Sequence, residues 1–91
     1  MDVVTKVKVI RPYLLDVSFQ DGARRRIDVE PLLSGEMFEP LRDAALFSRA
    51  AVDPVLGTVV WPNGADLSPE FLRRTPELKG ERTPARRERS P

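Results

Sequence analysis

Apolar and polar residues alternate with period two through the first thirty positions. Val3, Thr5, Val7 and Val9 share one face, against Val4, Lys6, Lys8 and Ile10. Tyr13, Leu15, Val17 and Phe19 share a face, against Leu14, Asp16 and Ser18. Ile27 and Val29 then oppose Arg24, Arg26 and Asp28. Successive side chains of a strand point to opposite sides of a sheet, so this pattern predicts three antiparallel strands with one buried and one wet face. Arg11-Pro12 separates the first strand from the second, because proline donates no ladder hydrogen bond.

Asp21-Gly22 marks the second turn. A two-residue loop there would set Val17 against Arg26 and turn the apolar face of the third strand outward. A three-residue loop, Gln20-Asp21-Gly22, sets Leu15 against Ile27 and Tyr13 against Val29, with Gly22 at a left-handed position. The buried face fixes the register, so the three-residue loop is expected. It also places Asp16 opposite Arg26 on the wet face.

After Glu30 the alternation ends. Pro31-Leu32-Leu33 reads as one turn, and Met37, Phe38 and Leu41 as apolar plugs anchoring a loop. Asp43 is placed to cap a short helix from Ala44 to Ser48 that presents Phe47 inward. Short strands are expected at 50–53 and 57–61, then a turn at Pro62-Asn63-Gly64. Ser68 caps a last helix with Pro69 at its first position, a Leu67–Leu72 staple, and Arg73 and Arg74 at its end. The expected fold is α+β: one small domain, with an antiparallel sheet of about five strands and short helices on one face. The expected core is Val7, Val9, Leu15, Val17, Phe19, Ile27, Phe47 and Trp61.

Composition sets the boundaries. The chain has 91 residues, 41% hydrophobic and 32% charged, enough apolar material for one core. Residues 75–91 read TPELKGERTPARRERSP, with Leu78 as their one large apolar residue. Such a stretch cannot offset its ordering entropy. The expected organisation is therefore an α+β domain over 1–74 and a disordered charged tail over 75–91. The net charge of +1 points to no particular partner. The chain has no His and no Cys. Disulfides, thiol nucleophiles, histidine acid–base chemistry and the usual zinc sites are excluded. No N-terminal h-region and no run of 18 apolar residues is present, so a cytoplasmic protein off the membrane is expected.

One ordered set of motifs is more specific than any of its parts. Phe19-Gln20-Asp21-Gly22 is followed by Ile27-Asp28-Val29, Pro31-Leu32-Leu33, Phe38, Pro40-Leu41-Arg42-Asp43 and Phe47. Gly57-Thr58-Val59 and Trp61-Pro62-Asn63-Gly64-Ala65-Asp66-Leu67 complete it. The set, over about residues 3–73, resembles the small bacterial proteins of domain-of-unknown-function family 2442. The resemblance implies a compact α+β domain without established enzymatic activity or family catalytic residues. Some similar domains precede a DNA-binding helix-turn-helix, and others are suggested antitoxin halves of toxin–antitoxin pairs. After Arg74 this sequence offers only the short charged tail, which favours a partner-binding role over the fused DNA-binding form.

Three groups carry candidate chemistry. Trp61, Asn63 and Asp66 form either a binding loop or a structural turn with a core Trp. Asp28, Glu30, Asp43 and Asp66 could in principle do acid–base work, yet they fall in separate segments with local jobs at a wet face, a turn and a cap. Lys6, Lys8, Arg24 and Arg26 form a basic patch able to meet phosphates, diluted by Asp16 and Asp28; Arg25 points the other way. Val4, Ile10 and Leu14 are apolar residues on the expected wet face, and so candidates for a homodimer or partner interface. The function expected is a non-enzymatic protein-interaction module, the antitoxin-like member of a bacterial two-protein system, with no cofactor. The alternative is a nucleic-acid-binding or regulatory accessory protein using the basic hairpin and tail.

Overall fold

The computed structural model of the protein describes residues 2–77. Among these residues six strands form: β1 (Val4–Arg11), β2 (Leu14–Phe19), β3 (Arg24–Asp28), β4 (Ala51–Asp53), β5 (Thr58–Val60) and β6 (Asp66–Leu67). Two α-helices, α1 (Ala44–Phe47) and α2 (Pro69–Arg74), and two 3-10 helices, Glu30–Leu32 and Glu39–Arg42, complete the α+β domain. The strands make two antiparallel sheets of three, in the orders β1-β2-β3 and β4-β5-β6, rather than one sheet of five. The sixth strand comes from the segment after the Pro62-Asn63-Gly64 turn. Asp66 and Leu67 fold back on Val60 and Val59, a pairing two residues long that carries no alternation to read. The expected tail falls, from residue 78 onward, outside the described residues.

The β2–β3 hairpin has the three-residue loop that parity demands. Phe19 N–H donates to Ala23 C=O at 2.8 Å, Leu15 pairs with Ile27, and Asp16 pairs with Arg26. Val29 N–H donates to Tyr13 C=O at 2.9 Å, which extends the register. Gly22 takes φ +94°, and the Asp21 carboxylate accepts from Ala23 N–H at 3.0 Å.

β1 departs from simple alternation at both ends. Its register steps from Val4↔Phe19 to Lys6↔Ser18, and from Val9↔Leu15 to Arg11↔Leu14. Each step inserts one extra residue, Thr5 or Ile10, and an inserted residue reverses which face the next side chain takes. The Thr5 bulge turns Val4 inward beside Phe19, so Val4 is buried rather than wet. Leu14 does lie on the face opposite Leu15, flanked in register by Arg11 and Asp28. It is nevertheless only 1% exposed. Charged side chains shield apolar neighbours with their aliphatic stems. Of the three apolar residues expected on the wet face, Ile10 alone is exposed. Val7 and Val9, expected in the core, are half-buried on this outer strand of the sheet.

The segment entering β1 joins the two sheets. Gln20 N–H donates to Val3 C=O at 2.8 Å, while Val4 N–H donates to Gly57 C=O at 2.9 Å. Gly57 sits at φ +69°, and a Cβ there would come within 2.8 Å of Val3 Cγ1. The left-handed φ and the Val3 side chain packed over this position together favour glycine here.

The helices close the core. Asp43 caps α1 by accepting from Ala45 N–H at 2.9 Å, and Ser68 caps α2 by accepting from Phe71 N–H at 3.1 Å. Phe47 is fully buried, packed with Leu15, Val17, Ile27, Leu41, Val59, Trp61 and Leu72 in one cluster.

Candidate functional site

The Trp61–Asp66 segment is mostly turned to structural use. Trp61 is buried, and its Nε1–H donates to Phe47 C=O at 2.9 Å. Asn63 Oδ1 accepts from Ala65 N–H at 3.1 Å, and its Nδ2 donates to Met37 C=O at 2.9 Å, pinning the turn to the distant 37 loop. Gly64 carries φ +94°. Asp66 is exposed, at the rim of an apolar groove lined by Leu32, Phe38, Leu67, Ser68 and Phe71.

The carboxylates do not converge. Asp28 accepts from Glu30 N–H at 3.0 Å, and Asp43 caps α1. Among the described residues no group of three or more carboxylates stands close enough to hold a metal ion. No helix among them is long and apolar enough to cross a membrane.

The basic residues do come together. On the outer face of β1–β2–β3, the register sets Lys6, Ser18 and Arg24 in one row across the strands, and Lys8, Asp16 and Arg26 in the next. Lys6, Lys8, Arg24 and Arg26 are all exposed. β1 and β3 thus each present a cationic column, with the Ser18–Asp16 column of β2 between them. A shallow concavity of about 430 Å³ lies here, lined by Lys6, Val7, Lys8, Asp16, Ser18 and Arg24. The register pairs Asp16 with Arg26, but its carboxylate is bridged by Arg24 at 2.7 Å, a diagonal reach that long side chains permit. The Asp16 side chain, bridged by Arg24, is only 12% exposed, so the one carboxylate at the centre of the face is largely covered.

Arg25 points to the other side, as its parity requires, and there its guanidinium donates to the carbonyls of Leu72 (2.6 Å) and Arg73. A cation on the last carbonyls of α2 satisfies groups the helix leaves open and complements its dipole. Arg73, read from the sequence only as a helix-end cation, makes a second polar cluster. It bridges Asp2 at 3.0 Å and Asp21 at 2.9 Å, and its guanidinium lies 4.1 Å from the centre of the Phe19 ring. The Ala23 amide, and then Arg73 acting against desolvation, hold the Asp21 carboxyl below its ordinary range. No local signal in the sequence joins residues 2, 21 and 73.

The model of the family described as Protein of unknown function (DUF2442) matches residues 4–75. No curated protein matches the chain. Among solved structures, the crystal structure of a candidate DNA-binding protein from Nitrosomonas europaea is similar, with a TM-score of 0.62 and 25% sequence identity. The similarity covers 68% of this chain and 41% of that one, so the chain spans about two-fifths of the length of this relative.

Proposed function

The chain belongs to the DUF2442 family, and for it we propose a non-enzymatic binding role in which the outer face of β1–β2–β3 meets the phosphate backbone of a nucleic acid. The observation that carries this reading is the convergence of Lys6, Lys8, Arg24 and Arg26 on one exposed face whose central carboxylate is covered. Cations that neutralise phosphates release counterions, and this drives binding without base readout. The Nitrosomonas europaea protein supports the direction of the reading through its name and shared fold, over less than half of its own length. The residues first favoured for a protein interface argue less strongly: Val4 and Leu14 are buried, and Trp61 and Asn63 hold the fold together. The carboxylates' separate structural jobs support a non-enzymatic role.

The test is fluorescence anisotropy with labelled mixed-sequence DNA and RNA over a salt series. Binding should weaken steeply with salt and fall when Lys6 and Lys8 are both replaced by Ala. Absence of binding at low salt would overturn the proposal.

A second reading, the protein-interaction module of a bacterial two-protein system, is favoured by one observation. Val55 and Leu56, at the tip of the β4–β5 turn, are 89% and 63% exposed. Isolated apolar side chains are common on surfaces, but an adjacent pair at a hairpin tip suits docking. Co-expression with a small protein encoded beside it, followed by pull-down, checks this. Capture should be lost on replacing Val55 and Leu56 with Ser.

A further inference from the structure

We infer that the ligand of this face is a double-stranded nucleic acid, held by its two backbones, and that single strands are poor ligands; this rests on the nucleic-acid reading above. Two features of the face lead there, its charge layout and its lack of rings.

The cations stand in two columns rather than one track. Lys6 and Lys8 lie two residues apart on β1, and Arg24 and Arg26 lie two residues apart on β3. Strand geometry puts the backbone positions of each column about 7 Å apart and those of the two columns about 10 Å apart, two strand spacings, with the Arg24 guanidinium leaning inward to Asp16. Between them runs β2, whose outward residues Ser18 and Asp16 carry no positive charge. A single strand laid along the middle would run over Ser18 and the covered, Arg24-bridged Asp16, and would leave the outer cations of both columns to its sides. A strand laid along either column would use half of the cations. A duplex presents two phosphate rows held at a fixed separation across a groove, and a major groove about 12 Å wide is close to the column spacing. One duplex can therefore engage both columns while its groove passes over β2.

The absence of rings points the same way. Proteins that grip single strands combine a basic track with aromatic platforms on which the unstacked bases rest. The chain has four Phe, one Trp and one Tyr, all of them described, and none is on this face. Tyr13 packs edge-on against Phe47, with ring centres 5.1 Å apart. Phe47 and Trp61 are buried, and Phe19 is buried beneath Arg73. Phe38 and Phe71 line the separate apolar groove. A base turned toward the cationic face meets no stacking partner, whereas a duplex keeps its bases stacked on one another.

The experiment uses the full chain, a short mixed-sequence DNA duplex and each of its separated strands, with anisotropy read over a salt series. Four phosphate contacts predict a slope of log K against log salt of about −3 to −4 for the duplex, plus whatever residues 78–91 add. Replacing Lys6 and Lys8 with Ala should reduce that slope by about 2, as should replacing Arg24 and Arg26. The separated strands should bind about tenfold more weakly. Thermal melts of each variant establish that it is folded. Single strands that bind as tightly as the duplex, through the same four residues, would overturn this inference and leave the nucleic-acid reading standing. Failure of duplex and strands alike to bind, or binding indifferent to both pairs of substitutions, would overturn both.

Discussion

The indole of Trp61 donates to the backbone carbonyl of Phe47 at 2.9 Å, and the two rings lie 5.7 Å apart. Tyr13 adds a third ring, edge-on against Phe47, and its hydroxyl donates to the carbonyl of Arg42. The three rings join the entry to β2, the helix α1 and the end of β5, so both sheets rest on one aromatic contact chain. Aromatic pairs in such geometries contribute beyond the area they bury.

Phe47→Ala should therefore cost about 3–5 kcal/mol, the usual cost of deleting a large buried ring. In a domain whose whole margin is of order 5 kcal/mol, that leaves little folded protein at room temperature. Trp61→Phe keeps a ring and removes a donor from a carbonyl that also accepts from Ala50 N–H, so its cost should be nearer 1 kcal/mol. Urea denaturation of the two variants measures the difference, and equal costs would argue against Phe47 as the centre of the chain.

Arg25 and its neighbours should separate cleanly by role. Arg25→Ala removes a charged donor from the terminal carbonyls of α2 and should cost about 1.5–3 kcal/mol. It should leave nucleic-acid affinity unchanged, because its side chain faces away from the cationic columns. Arg26→Ala should do the reverse. Melting temperatures and anisotropy on the same two proteins check both halves.

Asp16 is the one carboxylate at the centre of the cationic face. Replacing it with Asn frees Arg24 and removes a negative charge well within a Debye length of all four cations. Affinity for a polyanion should rise by about three- to tenfold at low salt. The lost ion pair should cost only about 0.2–1 kcal/mol of stability, since Arg24 is largely solvated. An unchanged affinity would place the ligand elsewhere.

The Asp21 cluster predicts a pH dependence with a definite sign. Its carboxyl titrates below its ordinary value in the folded chain, first because of the Ala23 amide and then because of Arg73, with desolvation opposing. Folding therefore favours the charged form. That contribution is present in full above the ordinary carboxylate value and is lost as pH falls through the lowered one. Asp21→Asn should be less stable than the native chain near neutral pH, with the gap closing as pH falls below the ordinary carboxylate range. Melts at low salt across that range measure it. A gap that stays constant with pH would show that the charge of Asp21 is not what stabilises the turn.

Local rules carried much of the architecture. Parity alone selected the three-residue loop at Gln20-Asp21-Gly22, because only that register keeps Leu15, Val17 and Ile27 on one side. Asp43 and Ser68 cap the helices their positions announce, since a cap depends on residues within three of it. Parity also sent Arg24 and Arg26 one way and Arg25 the other. Six residues are common to the expected and observed cores: Leu15, Val17, Phe19 and Ile27 follow from the same alternation, and Phe47 and Trp61 from the capped helix and the short strand before the Pro62-Asn63-Gly64 turn.

Tertiary structure decided what alternation could not reach. The bulges at Thr5 and Ile10 are single inserted residues with no composition of their own, and the first of them moves Val4 from the wet face to the core. The split into two sheets depends on β1 meeting Gly57 over a short stretch, and on β6, two residues long, finding β5. The Asp2–Arg73–Asp21 cluster and the seat of Arg25 on α2 join residues more than 45 positions apart. Sequence by itself determined which side chains want burial and which turns must form, because those preferences act over a few bonds. The cationic columns needed more: the charges were legible, but their alignment across β2 is fixed by the register of β1. That register is settled only when the bulged strand packs against the rest of the chain.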